Sequence, residues 1–181
     1  MNLSKLNDLS LVAQVIAGAN GRAFELLVRK YQGQVRRFFL HQTLGDRMQS
    51  DDLSQETFIK AYRQIASFRS LSSFQTWLYS IAYNVWLDHL RAKHQTIQLD
   101  EALPVASEEG KHNAVEMKID LYEALKLLTD TERTCITLFY LDDLPIRQVA
   151  NITSMPESTV KSHLSRGKQK MATYLKQHGY E

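Results

Sequence analysis

Residues Asp51 to Tyr62 read DDLSQETFIKAY, a run without glycine or proline whose composition is that of a helix. At 100° per residue, Phe58, Ala61, Tyr62 and Ile65 fall on one arc and are expected to face a core, while Asp52, Glu56, Lys60 and Arg63 fall opposite. Gln55 and Ile59 sit on the border. A carboxylate pair, an amide and an apolar side chain therefore make an outward patch about two turns long. That composition suits another protein better than water, although ordinary charge spacing on a solvated helix face gives the same pattern. The flanking chain decides between the two.

Upstream, residues 8–17 and 22–44 read as helices, with Phe24, Leu27, Val28, Tyr31, Val35, Phe38 and Phe39 recurring at three- and four-residue steps. The stretch 51–68 is the third helix. Downstream, SFRSLSS (67–73) is a hydroxyl-rich polar turn leading into a fourth helix over 74–93. That helix carries Phe74, Trp77, Tyr79, Tyr83 and Trp86, with Trp77, Ile81 and Asn84 on one face. Most such aromatics pack a core. A few of them, with amides beside a hydroxyl-rich loop, also suit stacking on and bonding to bases that have left a duplex.

Over 94–113 the periodicity fails, and Pro104, Gly110 and acidic residues accumulate, as in a flexible linker. Val115, Ile119, Tyr122, Leu125 and Leu128 then mark another amphipathic helix, and Thr129 with Glu132 forms a capping box opening the next, to about Leu141. Pro145 and Pro156 suit first helical positions of two further helices, 145–151 and 156–176, and Ser154 with Glu157 reads as a second capping box. A short helix, a tight turn and a longer basic helix make a helix-turn-helix. Val149, Ala150, Met155, Val160 and Leu164 are placed to hold its helices together. Ser158, Thr159, Lys161, Ser162 and Arg166 face outward, where cations and hydroxyls reach phosphates or base edges.

The chain has 181 residues, 44% hydrophobic and 23% charged, which allows one domain or two small ones with a real core. The net charge of +2 averages over segments of opposite sign. Residues 1–99 hold 12 basic and 7 acidic residues, 100–123 hold 7 acidic and 2 basic, and 157–176 hold 5 basic against one acidic. Cys135 stands alone, which excludes an intramolecular disulfide and a cysteine-rich zinc site, and its surroundings, RTCITLFYL, are those of a buried small hydrophobe. With no signal pattern in MNLSKLNDLS and no apolar run near the roughly 18 residues that span a bilayer, a cytoplasmic protein is expected.

Four strings carry a resemblance: AFELLVRKY (23–31), DDLSQETFIKAY (51–62), FQTWLYSIAYN (74–84) and STVKSHLSRGKQKM (158–171). In this order and spacing they resemble bacterial sigma factors of the extracytoplasmic-function (ECF) class. Residues 1–95 correspond to the region 2 domain, 96–113 to the linker and 114–181 to the region 4 domain. The resemblance implies an all-α protein of two small helical domains that joins core RNA polymerase, directs it to promoters and helps open the DNA. It implies no catalysis and no cofactor. Asp52, Gln55, Glu56 and Ile59 would dock on the β′ clamp helices, with the β subunit as a further contact. Ser67, Arg69, Ser73, Trp77 and Asn84 would meet the single-stranded minus ten element, with one base extruded into the loop. Ser158, Thr159, Lys161, Ser162 and Arg166 would read the minus thirty-five element. An anti-sigma factor is an implied partner. Three departures stand out: Thr153-Ser154 at a corner where glycine is usual, Phe139 and Tyr140 where a basic residue is frequent, and His163 in place of an arginine.

Two other classes compete. TVKSHL followed by basic residues also resembles LuxR-type regulators, which dimerise and act without being a polymerase subunit. An enzyme finds less support: the six histidines lack metal-ligand spacing, Asp88, His89 and His94 sit on a basic helix end, and there is no phosphate loop or nucleophile motif.

Overall fold

The computed structural model describes residues 3–18, 21–99 and 121–179, and every regular element among them is helical. Helix α1 spans Leu3–Ile16, α2 Gly21–Gln42, α3 Arg47–Gln64 and α4 Phe74–Leu99, with a single 3-10 turn at Ile65–Ser67. After a helical stretch over 121–126 come α5 (Asp130–Ile136), α6 (Ile146–Thr153) and α7 (Glu157–Gln177). The expected linker lies outside the described residues from 100 onward, and α4 runs to Leu99, past its expected end at Lys93. Val115 and Ile119 also lie outside the described residues, whereas Leu125 and Leu128 are buried.

The N-terminal module closes around α2, whose Leu27, Tyr31, Val35, Phe38 and Phe39 are buried at the expected steps. Helix α3 starts four residues before the expected Asp51, because the Asp46 side chain accepts from Gln49 N–H at 3.0 Å and caps it. Its core face is rotated from the expected one. Ser50, Leu53, Ser54, Thr57 and Ala61 face inward, whereas Tyr62 is 54% exposed and packs edge-on against Phe24. The hydroxyls of Ser54 and Thr57 donate to the carbonyls of Ser50 and Leu53, at 2.6 and 2.8 Å, so small polar side chains are buried without an orphaned donor.

In the C-terminal module the Thr129–Glu132 capping box forms in both directions. Helix α5 then widens into a π-helical turn, Thr137–Leu141, closed by Asp142 N–H to the Thr137 carbonyl at 2.9 Å. Helices α5 and α7 pack so closely at Gly167 that a β-carbon there would stand 2.8 Å from Ile136 Cγ1. Cys135 is fully buried and its thiol is pushed up to about 11 by burial.

The two modules pack on each other. Gln42, at the end of α2, is 1% exposed; its amide donates to Thr137 Oγ1 at 3.3 Å and accepts from Thr134 Oγ1 at 3.1 Å. Arg133, also buried, donates to the Gln42 carbonyl at 3.2 Å. Helix α6 lies against α4, and the Asp142 carboxylate, 2% exposed, faces Tyr79 and lies 3.5 Å from Arg37 Nε.

Burial holds Asp142 up at about 6, with Tyr79 and Arg37 drawing it part of the way back. Burial, helped by Arg37, pushes His41 down to about 4. The signs oppose. His41 is neutral in the fold but takes up a proton below its ordinary 6.5 when unfolded, so its contribution is lost as pH falls. Asp142 keeps a proton in the fold that it releases above its ordinary 3.8 when unfolded, so its contribution grows as pH falls. Relative to wild type, His41→Gln should make the stability change from pH 7 to pH 5 more favourable by about 2 kcal/mol, and Asp142→Asn less favourable by about 1 kcal/mol. Urea unfolding at the two pH values measures both, and equal slopes in all three proteins would contradict the assignment.

Candidate interaction surfaces

The outward patch on α3 is present as read. Asp52, Gln55, Glu56 and Ile59 are all exposed, Ile59 at 51%, and Met48 and Tyr62 extend it with apolar surface the sequence reading did not assign there. Lys60 holds Glu56 at 2.9 Å and reaches Asp88 of α4 at 3.1 Å, fixing the patch relative to α4. Exposed apolar groups and oriented carboxylates thus share one face of α3.

The turn from α3 to α4 is pinned at both ends by aromatics. Phe68 and Phe74 are buried with ring centroids 5.7 Å apart, and the half-buried Trp77 packs 5.5 Å from each. Two of the hydroxyls serve the backbone: Ser67 Oγ donates to the Gln64 carbonyl at 2.7 Å, and Ser73 Oγ accepts from Thr76 N–H at 3.1 Å, capping α4. Arg69 and Leu71 project outward. Beneath the turn is a hollow of about 180 Å³ lined by Asp8, Leu9, Ser70, Ser72, Ser73 and Phe74. Asp8 and Leu9 of α1 escaped the sequence reading. The only hint was a carboxylate at a position of α1 that turns out to be buried, where Lys30 and Tyr31 hold it, each at 2.5 Å. Asn84 is exposed on α4, two turns beyond Trp77 on the same side. Ile81, expected to share that face, is turned into the core.

Helices α6 and α7 form the helix-turn-helix, held by buried Val149, Ala150, Val160 and Leu164 with Met155 half-buried. The second capping box does not form. Ser154 ends α6 in the left-handed region, φ 56° and ψ 31°, so its side chain is spent on the corner, and Pro156 precedes α7 without a side-chain cap. Both prolines are thus one position earlier than expected, flanking their helices instead of opening them. Ser158, Lys161, Ser162 and Arg166 are exposed, and Thr159 is partly buried. Ser162 Oγ donates to the Ser158 carbonyl at 3.0 Å, and Arg166 Nε to the Ser162 carbonyl at 3.3 Å, so both side chains lie along the helix. Asp88 pairs with Lys60 and Arg91, and His89 stacks on Trp86, which accounts for both as surface structure.

An outward acidic and apolar patch, a pinned hydroxyl-rich turn and a helix-turn-helix are the three features the fold presents at its surface, and known proteins with the same two domains are factors of transcription initiation. Residues 27–96 match the family model of Sigma-70 region 2, and residues 118–171 that of Sigma-70, region 4. The chain is 32% identical to the RNA polymerase sigma-H factor of Pseudomonas aeruginosa, covering 92% of this chain and 93% of that one. It is 30% identical to the ECF RNA polymerase sigma factor SigW of Bacillus subtilis, over 85% and 89% of the two chains. Its fold is that of RpoE bound to the anti-sigma factor NepR from Bartonella quintana (TM-score 0.74, 22% identity, 84% of this chain and 96% of that one). It is also that of CnrH bound to the cytosolic domain of CnrY (TM-score 0.71, 22% identity, 94% and 97%). The chain belongs to the ECF class of RNA polymerase sigma factors. The LuxR-like reading is not favoured. No helix among the described residues is long and apolar enough to cross a membrane.

The strained corner has a measurable cost. An L-residue in the left-handed region loses about 1 kcal/mol that glycine does not. Ser154→Gly should therefore raise stability, by up to about 1 kcal/mol, with the circular dichroism spectrum unchanged. A loss of stability in urea melts would mean that the Ser154 side chain holds the corner.

Proposed function

We propose that this sigma factor acts by binding alone: it docks on core RNA polymerase through α3 and uses two separate DNA-reading modules to place the enzyme on a promoter. The observation that carries this reading is the α3 patch, where Asp52, Gln55, Glu56 and Ile59 stand exposed on a helix fixed from both sides, through Lys60 to α4 and through the Phe24–Tyr62 pair to α2. The β′ clamp helices are its partner, with the β subunit contacted elsewhere. Residues 1–95 serve docking and the minus ten element, and 114–181 the minus thirty-five element, with 96–113 as the connection between them.

The hollow under the 67–73 turn has the scale of one nucleobase, and its hydroxyls suit hydrogen bonds to the edge of an unpaired base. Trp77 and Asn84 lie beyond it along α4, where the neighbouring unpaired strand would run, and Arg69 stands near its backbone. On α7, Lys161 and Arg166 meet phosphate or base edges, and Ser158, Thr159 and Ser162 lie in the first two turns, where hydroxyls and free N–H groups favour phosphate. With His163 in place of an arginine, this module alone binds weakly and in a salt-dependent way. Fixing both modules on one polymerase converts two weak contacts into one specific one. An anti-sigma factor that covers these surfaces is the expected regulator, in line with the complexes in which the similar RpoE and CnrH were solved.

Run-off transcription with core polymerase on fragmented genomic DNA of the host tests the reading. Discrete new start sites are expected with the wild-type chain and are expected to vanish with Glu56→Arg, which reverses the charge at the centre of the patch without touching the core. If no starts appear and the free chain footprints DNA as a dimer, the polymerase-subunit mechanism is wrong.

A further inference from the structure

We propose that the hollow between α2 and the helical stretch 121–126 is a binding site for a small anion built on a flat ring, that is, a ring-bearing carboxylate or phosphate. The hollow measures about 340 Å³, at the lower end of the range that holds small molecules, and so suits one ring system with one charged group. Helix α2 supplies Gly33, Arg36, Arg37, Leu40 and His41, and the facing stretch supplies Leu121 and Tyr122. None of the docking or DNA-reading residues named above lines it, so the proposal goes beyond the promoter reading.

The wall of the hollow is largely apolar. The His41 and Tyr122 rings lie with centroids 6.4 Å apart, and Leu40 and Leu121 complete it. It is also preformed. Tyr122 is seated against Gly45, where a β-carbon would stand 3.0 Å from Tyr122 Cε2, and His41 is buried. Rings already held in place lose little freedom when a ligand arrives. Gly33 keeps the space open. Glycine inside a helix weakens it, and no packing requires one here: Gly33 lies outside the left-handed region, and a β-carbon on it would meet no atom within 4 Å among the described residues. A longer side chain at that position has the hollow to fill.

The rim is cationic. Arg36 Nε and Nη2 hold the Asp51 carboxylate, which leaves Nη1 to offer, and the half-exposed Arg37 reaches Asp142 only at 3.5 Å. The charge of Arg47 also acts on Tyr122. Three guanidiniums (Arg36, Arg37, Arg47) against two carboxylates (Asp51, Asp142) leave one positive charge over about the hollow. A guanidinium fork is matched by carboxylate or phosphate oxygens. His41 adds no charge at neutral pH, since burial and Arg37 hold it at about 4, and its Nδ1 has no hydrogen-bond partner. An anion seated at the rim favours the imidazolium, so its arrival should raise the pH at which His41 takes up a proton.

The test titrates the full chain by NMR, with the His41 ring signals assigned by their loss in His41→Gln. Phenylacetate joins a ring to a carboxylate and phenyl phosphate joins one to a phosphate; phenylacetamide supplies the ring without the charge, and inorganic phosphate the charge without the ring. At least one ring anion should bind with a Kd below about 1 mM and raise the His41 midpoint, and the two partial probes should bind roughly tenfold more weakly. The tighter of the two ring anions tells carboxylate from phosphate. Gly33→Leu should abolish binding with the circular dichroism spectrum unchanged, Gly33→Ala should retain it, and Arg36→Gln should weaken it roughly tenfold. If neither ring anion shifts His41, or if binding survives Gly33→Leu, there is no such site. Equal binding of phenylacetamide would show that the rim charge selects nothing and would overturn the anion assignment. Neither readout involves core polymerase or a promoter, so failure here leaves the docking reading standing.

Discussion

Helix α4 has apolar side chains on two sides, and burying both at once sets the arrangement of the other elements. Toward the N-terminal module, Phe74 meets Tyr31 and Phe68, and Tyr79 meets Phe38, with ring centroids 5.5 to 5.8 Å apart. Toward the C-terminal module, the same Tyr79 faces Asp142, and Tyr83 lies near Cys135. A 26-residue helix with so many aromatics has too little polar surface to stand free on either side. Its remaining edge, from Trp77 to Asn84, is left open to solvent.

The seam between the modules adds polar contacts to a hydrophobic cluster that runs through both. Inside each module the large side chains are apolar and fully buried, Leu27, Phe38, Leu78, Leu125 and Leu138 among them. Across the seam, amide, hydroxyl, guanidinium and carboxylate contacts stand beside apolar ones, with Tyr122 against Gly45 and Tyr83 near Cys135, and several polar atoms there lack hydrogen-bond partners. Buried polar contacts specify an orientation but contribute little net stability, since the groups surrender comparable bonds to water.

Local spacing made much of this legible. The order of helices, the Thr129–Glu132 cap, the buried cysteine, the helix-turn-helix and the outward set Asp52, Gln55, Glu56 and Ile59 all follow from periodicity and residue chemistry within one or two turns, because the forces involved act over that range. Errors arose where a residue's local fitness had more than one use. Ser54 and Thr57, which periodicity placed on neither face, are core, since their hydroxyls bond their own helix. Ser154 looked like a cap and is a left-handed corner. Tyr62 looked like core and is half exposed, since a phenol tolerates either place.

The sequence by itself therefore determined the class: an all-α chain whose four motifs, in order and spacing, are those of an ECF sigma factor. Only the tertiary structure decided that Asp8 and Leu9 of α1 line the hollow under the 67–73 turn, and that Gln42, Arg133, Asp142 and Tyr79 join the modules. The physical reason is range. Helix faces and caps are set by neighbours three to seven residues away, whereas Gln42 and Thr137 are 95 residues apart, and their pairing depends on how two finished surfaces fit.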